Sequence, residues 1–171
     1  RNGWKIIFLP ITELLNRNDA ASYINFVKPK EADRTKLKNF IKKLNNEYPN
    51  DLFILSVHTA EPEYVRAVTQ EQEDFYKELL DCGVDVLWAN HAHIIKDRKY
   101  IFNVENNTQK VIMYANGNTI SGQRTKPDFD AKTPAAERDN TGDGLMVQIT
   151  FTKDTKGKKA HITKAENIFI T

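Results

Sequence analysis

The sequence is poor in cysteine and histidine, the residues that most often build disulfides and zinc clusters. Cys82 is the single cysteine among 171 residues, which excludes an intrachain disulfide. It lies in LLDCG, at the predicted end of an amphipathic helix, where we expect a packed side chain rather than a nucleophile. There are only four histidines, so the position of each one is informative.

Long apolar runs and a dominant charge are also missing. No run approaches the ~20 apolar residues of a membrane span, so none is expected in this chain. The 25 Lys and Arg residues against 23 Asp and Glu leave a formal charge of +2. That charge is too small for the basic field of most nucleic-acid-binding proteins, and no such partner is expected. The chain starts at Arg1 without an initiator Met, which we interpret as processing, trimming or a fragment.

The order of apolar patterns predicts one α/β domain with a mixed sheet. Short β-branched and aromatic runs predict strands, and helical periodicity predicts helices, of which the second has Thr69 as its N-cap. The predicted strands are 4–12, 51–58, 84–93 and 110–118, followed by a closing hairpin of 144–154 and 159–171. One helix is predicted within 31–50, with Pro49 just beyond its end, and a second over 69–83. The first strands are apolar nearly throughout, which favours a sheet covered on both faces. Residues 119–143 are predicted to form a long loop or lid.

Three of the four histidines close predicted strands. His58 ends DLFILSVH, and His91 and His93 end VDVLWANHAH. Ligands of α/β sheets bind at this carboxyl edge, and side chains two residues apart on a strand share one face. Imidazole nitrogen is a common ligand of zinc, iron and manganese, so the pattern predicts a metal site.

Two simpler interpretations remain open for these residues. A His-x-His pair can occur by chance, and a strand-end histidine is often an ordinary hydrogen-bonded side chain. His161, in the predicted hairpin, has no such neighbours and is interpreted as structural or solvent-facing.

The succession SVHTAEPEY, QEQEDFYKELLDCGVDVLWANHAH and VIMYANGN resembles the bacterial capsule synthesis family (poly-γ-glutamate synthesis, CapA-type). That family belongs to the metallophosphoesterase-like, calcineurin-type superfamily. The resemblance covers most of 50–120, and more loosely 1–12 and 142–171. It implies the C-terminal half of an α/β/β/α sandwich.

The resemblance also implies roles for particular residues. His58 matches the family's isolated histidine ligand, and His91 and His93 match the two histidines of a Gly-His-x-His motif that serves a two-metal centre. The ions would be Mn, Fe or Zn. Glu63 falls at the family's Glu-Tyr and is the candidate catalytic acid, placed either behind the metal ligands or beside the substrate, although simple loop solvation of Glu61 or Glu63 is an equal alternative.

Asn116, Gly117 and Asn118 fall at the family's Gly-Asn turn, and the resemblance places the two asparagines on the substrate side of the site. The chain departs from the family pattern nearby. Thr59-Ala60 replaces Trp-Gly, HTAEPEY is one residue longer than its counterpart, and Thr119 replaces Phe. These changes concern the shape of the substrate pocket more than the ligand set.

None of the superfamily's Asp-x-His, Gly-Asp and Asn-His motifs appears before His58, and residues 1–57 contain no histidine at all. The resemblance therefore implies that an N-terminal half is separate or missing, or that the protein is a reduced relative. The implied function is the C-terminal part of a metal-dependent hydrolase acting on a phosphoester or an anionic capsule polymer, in the cell envelope or outside the cell. The alternatives are a non-catalytic polymer-binding or assembly module, and a structural domain with three hydrogen-bonded histidines.

Overall fold

A computed structural model describes residues 3–103, 108–122, 138–153 and 160–170. Five strands form one sheet in the order β1-β2-β3-β5-β4, and two further strands, β6 and β7, form a second sheet. The strands are β1 (Ile6–Thr12), β2 (Leu52–His58), β3 (Val86–Asn90), β4 (Arg98–Asn103), β5 (Thr108–Met113), β6 (Gly144–Thr152) and β7 (His161–Ile170). The helices are α1 (Glu31–Glu47) and α2 (Gln70–Asp81), with 3-10 turns at Asn18–Tyr23 and Arg138–Gly142.

The predicted α/β class with a mixed sheet is confirmed. Strands β1, β2, β3 and β5 are parallel, whereas β4 runs antiparallel to β5. The sequence patterns missed β4, whose RKYIFN run is short and starts with charged residues. The predicted strand 84–93 is shorter than expected, because β3 ends at Asn90. Most of the predicted loop 119–143 lies outside the described residues.

One face of the large sheet packs against both helices. Phe53, Leu55 and Val57 of β2 alternate with residues of the other face and contact a core that includes Ile41 of α1 and Leu79 of α2. The predicted N-cap is confirmed, since the Thr69 hydroxyl accepts a hydrogen bond from the Gln72 amide at 3.2 Å. Because β1, β2 and β3 are parallel neighbours, their carboxyl ends meet at one edge of the sheet.

The opposite face of the sheet is covered only in part. Val147, Ile149 and Phe151 of β6 pack over Val86 and the neighbouring apolar residues of that face. Over β1, however, the side chains of Ile6 and Phe8 are 51% and 55% exposed. Within the described residues, the expected cover on both faces is therefore missing over β1. The hairpin's two strands are too narrow to extend across all five strands of the larger sheet.

Candidate functional site

The first three strands end side by side at the carboxyl edge of the sheet. Thr12 of β1 is in register with His58 of β2, and His58 is in register with Asn90 of β3. Parallel pairing thus aligns the residue that precedes His91 with the end of β2. This alignment brings residues that are far apart in sequence into one site.

His58 and His91 are in direct contact. The Nε2 atom of His58 lies 3.2 Å from Nδ1 of His91, and the two rings meet edge to face with their centres 4.8 Å apart. Burial lowers the pKa of His91, and the neighbouring His58 lowers it further. Both effects favour the neutral form of His91, in which one ring nitrogen has a lone pair.

Thr12 contacts the other nitrogen of His58. Its Oγ1 atom lies 2.9 Å from Nδ1 of His58, and its hydroxyl donates to the carbonyl of Leu14 at 2.8 Å. Sequence reasoning missed Thr12, because a threonine at the end of a strand carries no signal of its own. Only the β1–β2 register reveals the contact.

His93 lies between an amide and a carboxylate. Its Nδ1 atom is 2.9 Å from Oδ1 of Asn118, and its Nε2 atom is 3.7 Å from Oε1 of Glu63. The ring of Tyr64 stacks on it with an interplanar angle of 27°. The ring centres of His91 and His93 are 6.1 Å apart, so His93 adjoins the pair formed by His58 and His91 without touching it through a ring nitrogen.

Backbone geometry, rather than strand pleating, brings His91 and His93 together. Both residues follow the end of β3 and have positive φ angles, 138° and 59°. Their expected placement two residues apart on one strand face is therefore wrong. Among the described non-glycine residues the only other positive φ is that of Tyr64, at 62°. Such conformations cost about 1–3 kcal/mol each and cluster at functional sites.

The candidate asparagines have different environments. Asn118 donates through Nδ2 to the carbonyls of His93 and Thr141, at 3.3 and 3.1 Å, so its orientation is fixed. Asn116 is held in place by its backbone, whose N–H donates to Oδ1 of Asn90 at 3.2 Å. Its side chain helps to line a cavity of about 300 Å³ beside Trp88.

The carboxylates of Glu61 and Glu63 also have different environments. The Thr69 hydroxyl donates to Oε1 of Glu61 at 3.4 Å, so this carboxylate turns towards the start of α2. Its charge also acts on the buried Lys96, whose pKa is lowered by burial and raised by Glu61, with a net lowering. Glu63 is exposed and is the carboxylate that reaches His93.

The buried carboxyl group of Glu13 lies next to the end of β2, since the Glu13 N–H donates to the carbonyl of His58 at 2.8 Å. The sequence patterns gave no indication of this residue. Its Oε2 atom accepts hydrogen bonds from the Thr59 hydroxyl and the Ala60 amide, both at 3.2 Å. Burial raises the pKa of Glu13 against the opposing effect of these donors. Gln72 extends the network by donating to Thr59 at 3.3 Å. Thr59, the residue after His58, is therefore held in place by hydrogen bonds to the buried Glu13 and Gln72.

The donor atoms fit divalent metals in pairs. Two nitrogens on one tetrahedral ion lie about 3.3–3.4 Å apart when each metal–nitrogen distance is about 2.0–2.1 Å, close to the spacing of His58 Nε2 and His91 Nδ1. His93 and Glu63 form a wider pair. Within the part of the chain that the structure describes, no three His, Cys, Asp or Glu side chains converge enough to hold one ion. The meeting of all three histidines at one ion stays a prediction.

The sequence matches the model of a known protein family. The model of a family described as bacterial capsule synthesis protein matches residues 1–123, which is well over half of the chain and includes every candidate site residue. The match ends before β6, so the looser resemblance over 142–171 stays a prediction. No curated protein matches the chain. The described helices include none that is long and apolar enough to cross a bilayer.

Proposed function

Because the chain belongs to the bacterial capsule synthesis protein family, we propose that it is the C-terminal part of a metal-dependent hydrolase-like protein. The substrate would be a phosphoester or an anionic capsule polymer such as poly-γ-glutamate. The observation that carries this proposal is the 3.2 Å approach of His58 Nε2 to His91 Nδ1. Two imidazole nitrogens of this spacing at a strand-end edge suit a shared cation better than solvent.

In this proposal His58 and His91 hold one divalent ion, and His93 with Glu63 adjoins a second. Bound divalent ions supply a nucleophile at neutral pH and neutralise the oxygens of a phosphoryl or carboxylate group. The chain's own residues provide orientation. Asn118 fixes the ring of His93 through Nδ1, which leaves Nε2 directed at Glu63. The Glu63 carboxylate is then placed to bind the same cation or to hold a proton.

A pair of ligands is too few for a stable site, since catalytic zinc sites use three protein ligands. We propose that a further part of the domain supplies the rest, including acidic ligands that the described residues do not bring to the histidines. The exposed apolar face of the sheet supports this. Ile6 and Phe8 on β1 and Trp88 on β3 are 51%, 55% and 39% exposed. In the described ranges β6 forms a ladder with β7 and otherwise only an isolated bridge to Gly117. A second layer of strands would cover this face and bring its own loops to the same edge.

The second candidate function is a non-catalytic polymer-binding or assembly module of capsule synthesis. The observation in its favour is that the described side chains offer pairs rather than triads of ligands. In this function the histidines and Asn116 would contact an anionic chain without hydrolysing it. Turnover of a phosphoester by the 171-residue chain alone would exclude this candidate.

Elemental analysis of the full-length protein tests the metal proposal. We expect bound Mn, Fe or Zn in the wild type, and loss of that metal in the double variant His91→Ala/His93→Ala. The matched control is His161→Ala, at the start of β7, which should keep the metal. Wild-type protein without metal, or a double variant with undiminished metal, would reject the proposal.

The family also supports an association with the cell envelope, which we propose as the location. Fractionation of cells that express the full-length protein tests it. We expect the protein in the envelope or extracellular fraction. Recovery entirely with soluble cytoplasmic markers would contradict this location without affecting the metal proposal.

A further inference from the structure

The hydrogen bonds around the end of β1 assign a specific role to a residue outside the ligand set. We propose that Thr12 is a positioning residue that holds His58 in the tautomer with its proton on Nδ1, so that Nε2 presents its lone pair to the site. The inference deepens the proposed metal site and rests on it only for the effect on metal binding. The tautomer itself is a property of the metal-free chain.

The proton count around the Thr12 hydroxyl carries the argument. The hydroxyl has one proton. Its Oγ1 atom lies 2.8 Å from the carbonyl oxygen of Leu14 and 2.9 Å from Nδ1 of His58. The carbonyl can only accept. If the hydroxyl donates to Leu14 and Nδ1–H of His58 donates to the hydroxyl, both contacts are hydrogen bonds. If the hydroxyl donates to Nδ1 instead, the carbonyl loses its donor. The first arrangement makes one more hydrogen bond within the protein.

The backbone keeps the hydroxyl in place. Thr12 is in register with His58, and the next residue, Glu13, donates its N–H to the carbonyl of His58 at 2.8 Å. On its other side, the N–H of Thr12 donates to Asn25 at 3.0 Å and its carbonyl accepts from Val27 at 2.9 Å. Thr12 is thus hydrogen-bonded to neighbours on both sides. Because the side chain of Thr12 is β-branched, few other χ1 rotamers are available to it.

The tautomer of His58 decides which of its nitrogens can bind a cation. With the proton on Nδ1, Nε2 of His58 is an acceptor that faces Nδ1 of His91 at 3.2 Å. In the metal-free chain it accepts the His91 N–H. In the loaded site it would donate its lone pair to the ion, and His91 would carry its proton on Nε2 so that its Nδ1 could bind as well. Histidine ligands commonly donate their second N–H to an outer partner that fixes the ring, usually a carboxylate, carbonyl or water. Here that partner is a hydroxyl whose own proton is already used.

Nitrogen-15 NMR of the metal-free 171-residue chain tests the tautomer in alkaline buffer. In the wild type we expect the protonated-nitrogen signal of His58 at Nδ1 and the lone-pair signal at Nε2. Thr12→Val has nearly the same shape but no hydroxyl, and should move most of the population to the Nε2–H tautomer. Thr12→Ser should restore the wild-type pattern. The control Thr152→Val, at an exposed position of β6 away from the site, should leave His58 unchanged.

A wild-type His58 with its proton on Nε2, or a Thr12→Val variant with an unchanged tautomer, would overturn the inference. Backbone amide spectra of each variant check that the fold is kept, and Thr12→Ser distinguishes loss of the hydroxyl from loss of structure. In the full-length protein, Thr12→Val should weaken metal binding by about 10–100-fold, the usual effect of losing such a partner. A tautomer change without any metal binding by the wild type would sustain the inference and reject the proposed function.

Discussion

The Oδ1 atom of Asn118 lies 2.9 Å from Nδ1 of His93. The side-chain nitrogen of Asn118 donates to the carbonyls of His93 and Thr141, so its oxygen must face the imidazole. A carbonyl oxygen can only accept, and Nδ1 of His93 therefore carries the proton. Nε2 is left as an acceptor facing the Glu63 carboxylate at 3.7 Å. Two acceptors that face each other at this distance suit a cation or a proton between them.

Asn118 should matter for stability as well as for orientation. We expect Asn118→Asp to lower the free energy of unfolding by about 1–3 kcal/mol, because a carboxylate cannot donate to the two carbonyls that the amide satisfies. Urea denaturation measures the change. Asn46→Asp, at an exposed position of α1, is the control and should change stability little. Equal effects of the two substitutions would show that the amide contacts contribute nothing.

Neighbouring apolar residues of α1 should differ sharply in their contribution. Ile41 is fully buried, whereas Phe40 is 47% exposed. We expect Ile41→Ala to cost about 2–5 kcal/mol, since it removes a core side chain and leaves a cavity. Phe40→Ala should cost clearly less despite the larger side chain. Thermal or urea unfolding of both variants compares them, and a larger loss for Phe40→Ala would mean that this face of α1 is covered.

Glu13 should make stability depend on pH. Burial raises its pKa in the folded chain, so between the usual value of about 4.3 and the raised value the folded state binds more protons than the unfolded state. Stability from this group is then greatest in acid and falls as pH rises through that window. Glu13→Gln should flatten this part of the profile and gain stability relative to the wild type as pH rises.

Urea unfolding of the wild type and Glu13→Gln at several pH values between about 4 and 8 measures this effect, over the range in which carboxyl groups and histidines titrate. Glu47→Gln, at the exposed end of α1, is the control for a change of net charge. A Glu13→Gln profile parallel to that of the wild type would contradict a raised pKa at this carboxyl.

Cys82 should react slowly with thiol reagents in the folded chain. It is 8% exposed, and burial raises the pKa of its thiol against the opposing effect of Lys42 and Lys38. Since the thiolate is the reactive form, both access and ionisation are reduced. We expect a large increase in the alkylation rate of Cys82, measured by mass spectrometry, when the chain is unfolded in urea. Similar rates in both states would argue against a packed Cys82.

The sequence patterns predicted the helices well, because their signals are local. Periodic apolar residues placed α1, and the hydroxyl of Thr69 placed the start of α2. The strands β1 and β2 were equally visible as apolar runs. The patterns failed at β4, whose pairing with β5 depends on a partner rather than on its own composition.

The sequence by itself determined which residue types stand at the ends of β2 and β3, and hence which side chains are candidates for the site. Only the tertiary structure decided how they meet. The register of β1 against β2 brings Thr12 to His58, and the positive φ angles after β3, rather than strand alternation, aim His91 and His93. Strand register and backbone turns depend on packing between distant segments, so no local pattern encodes them.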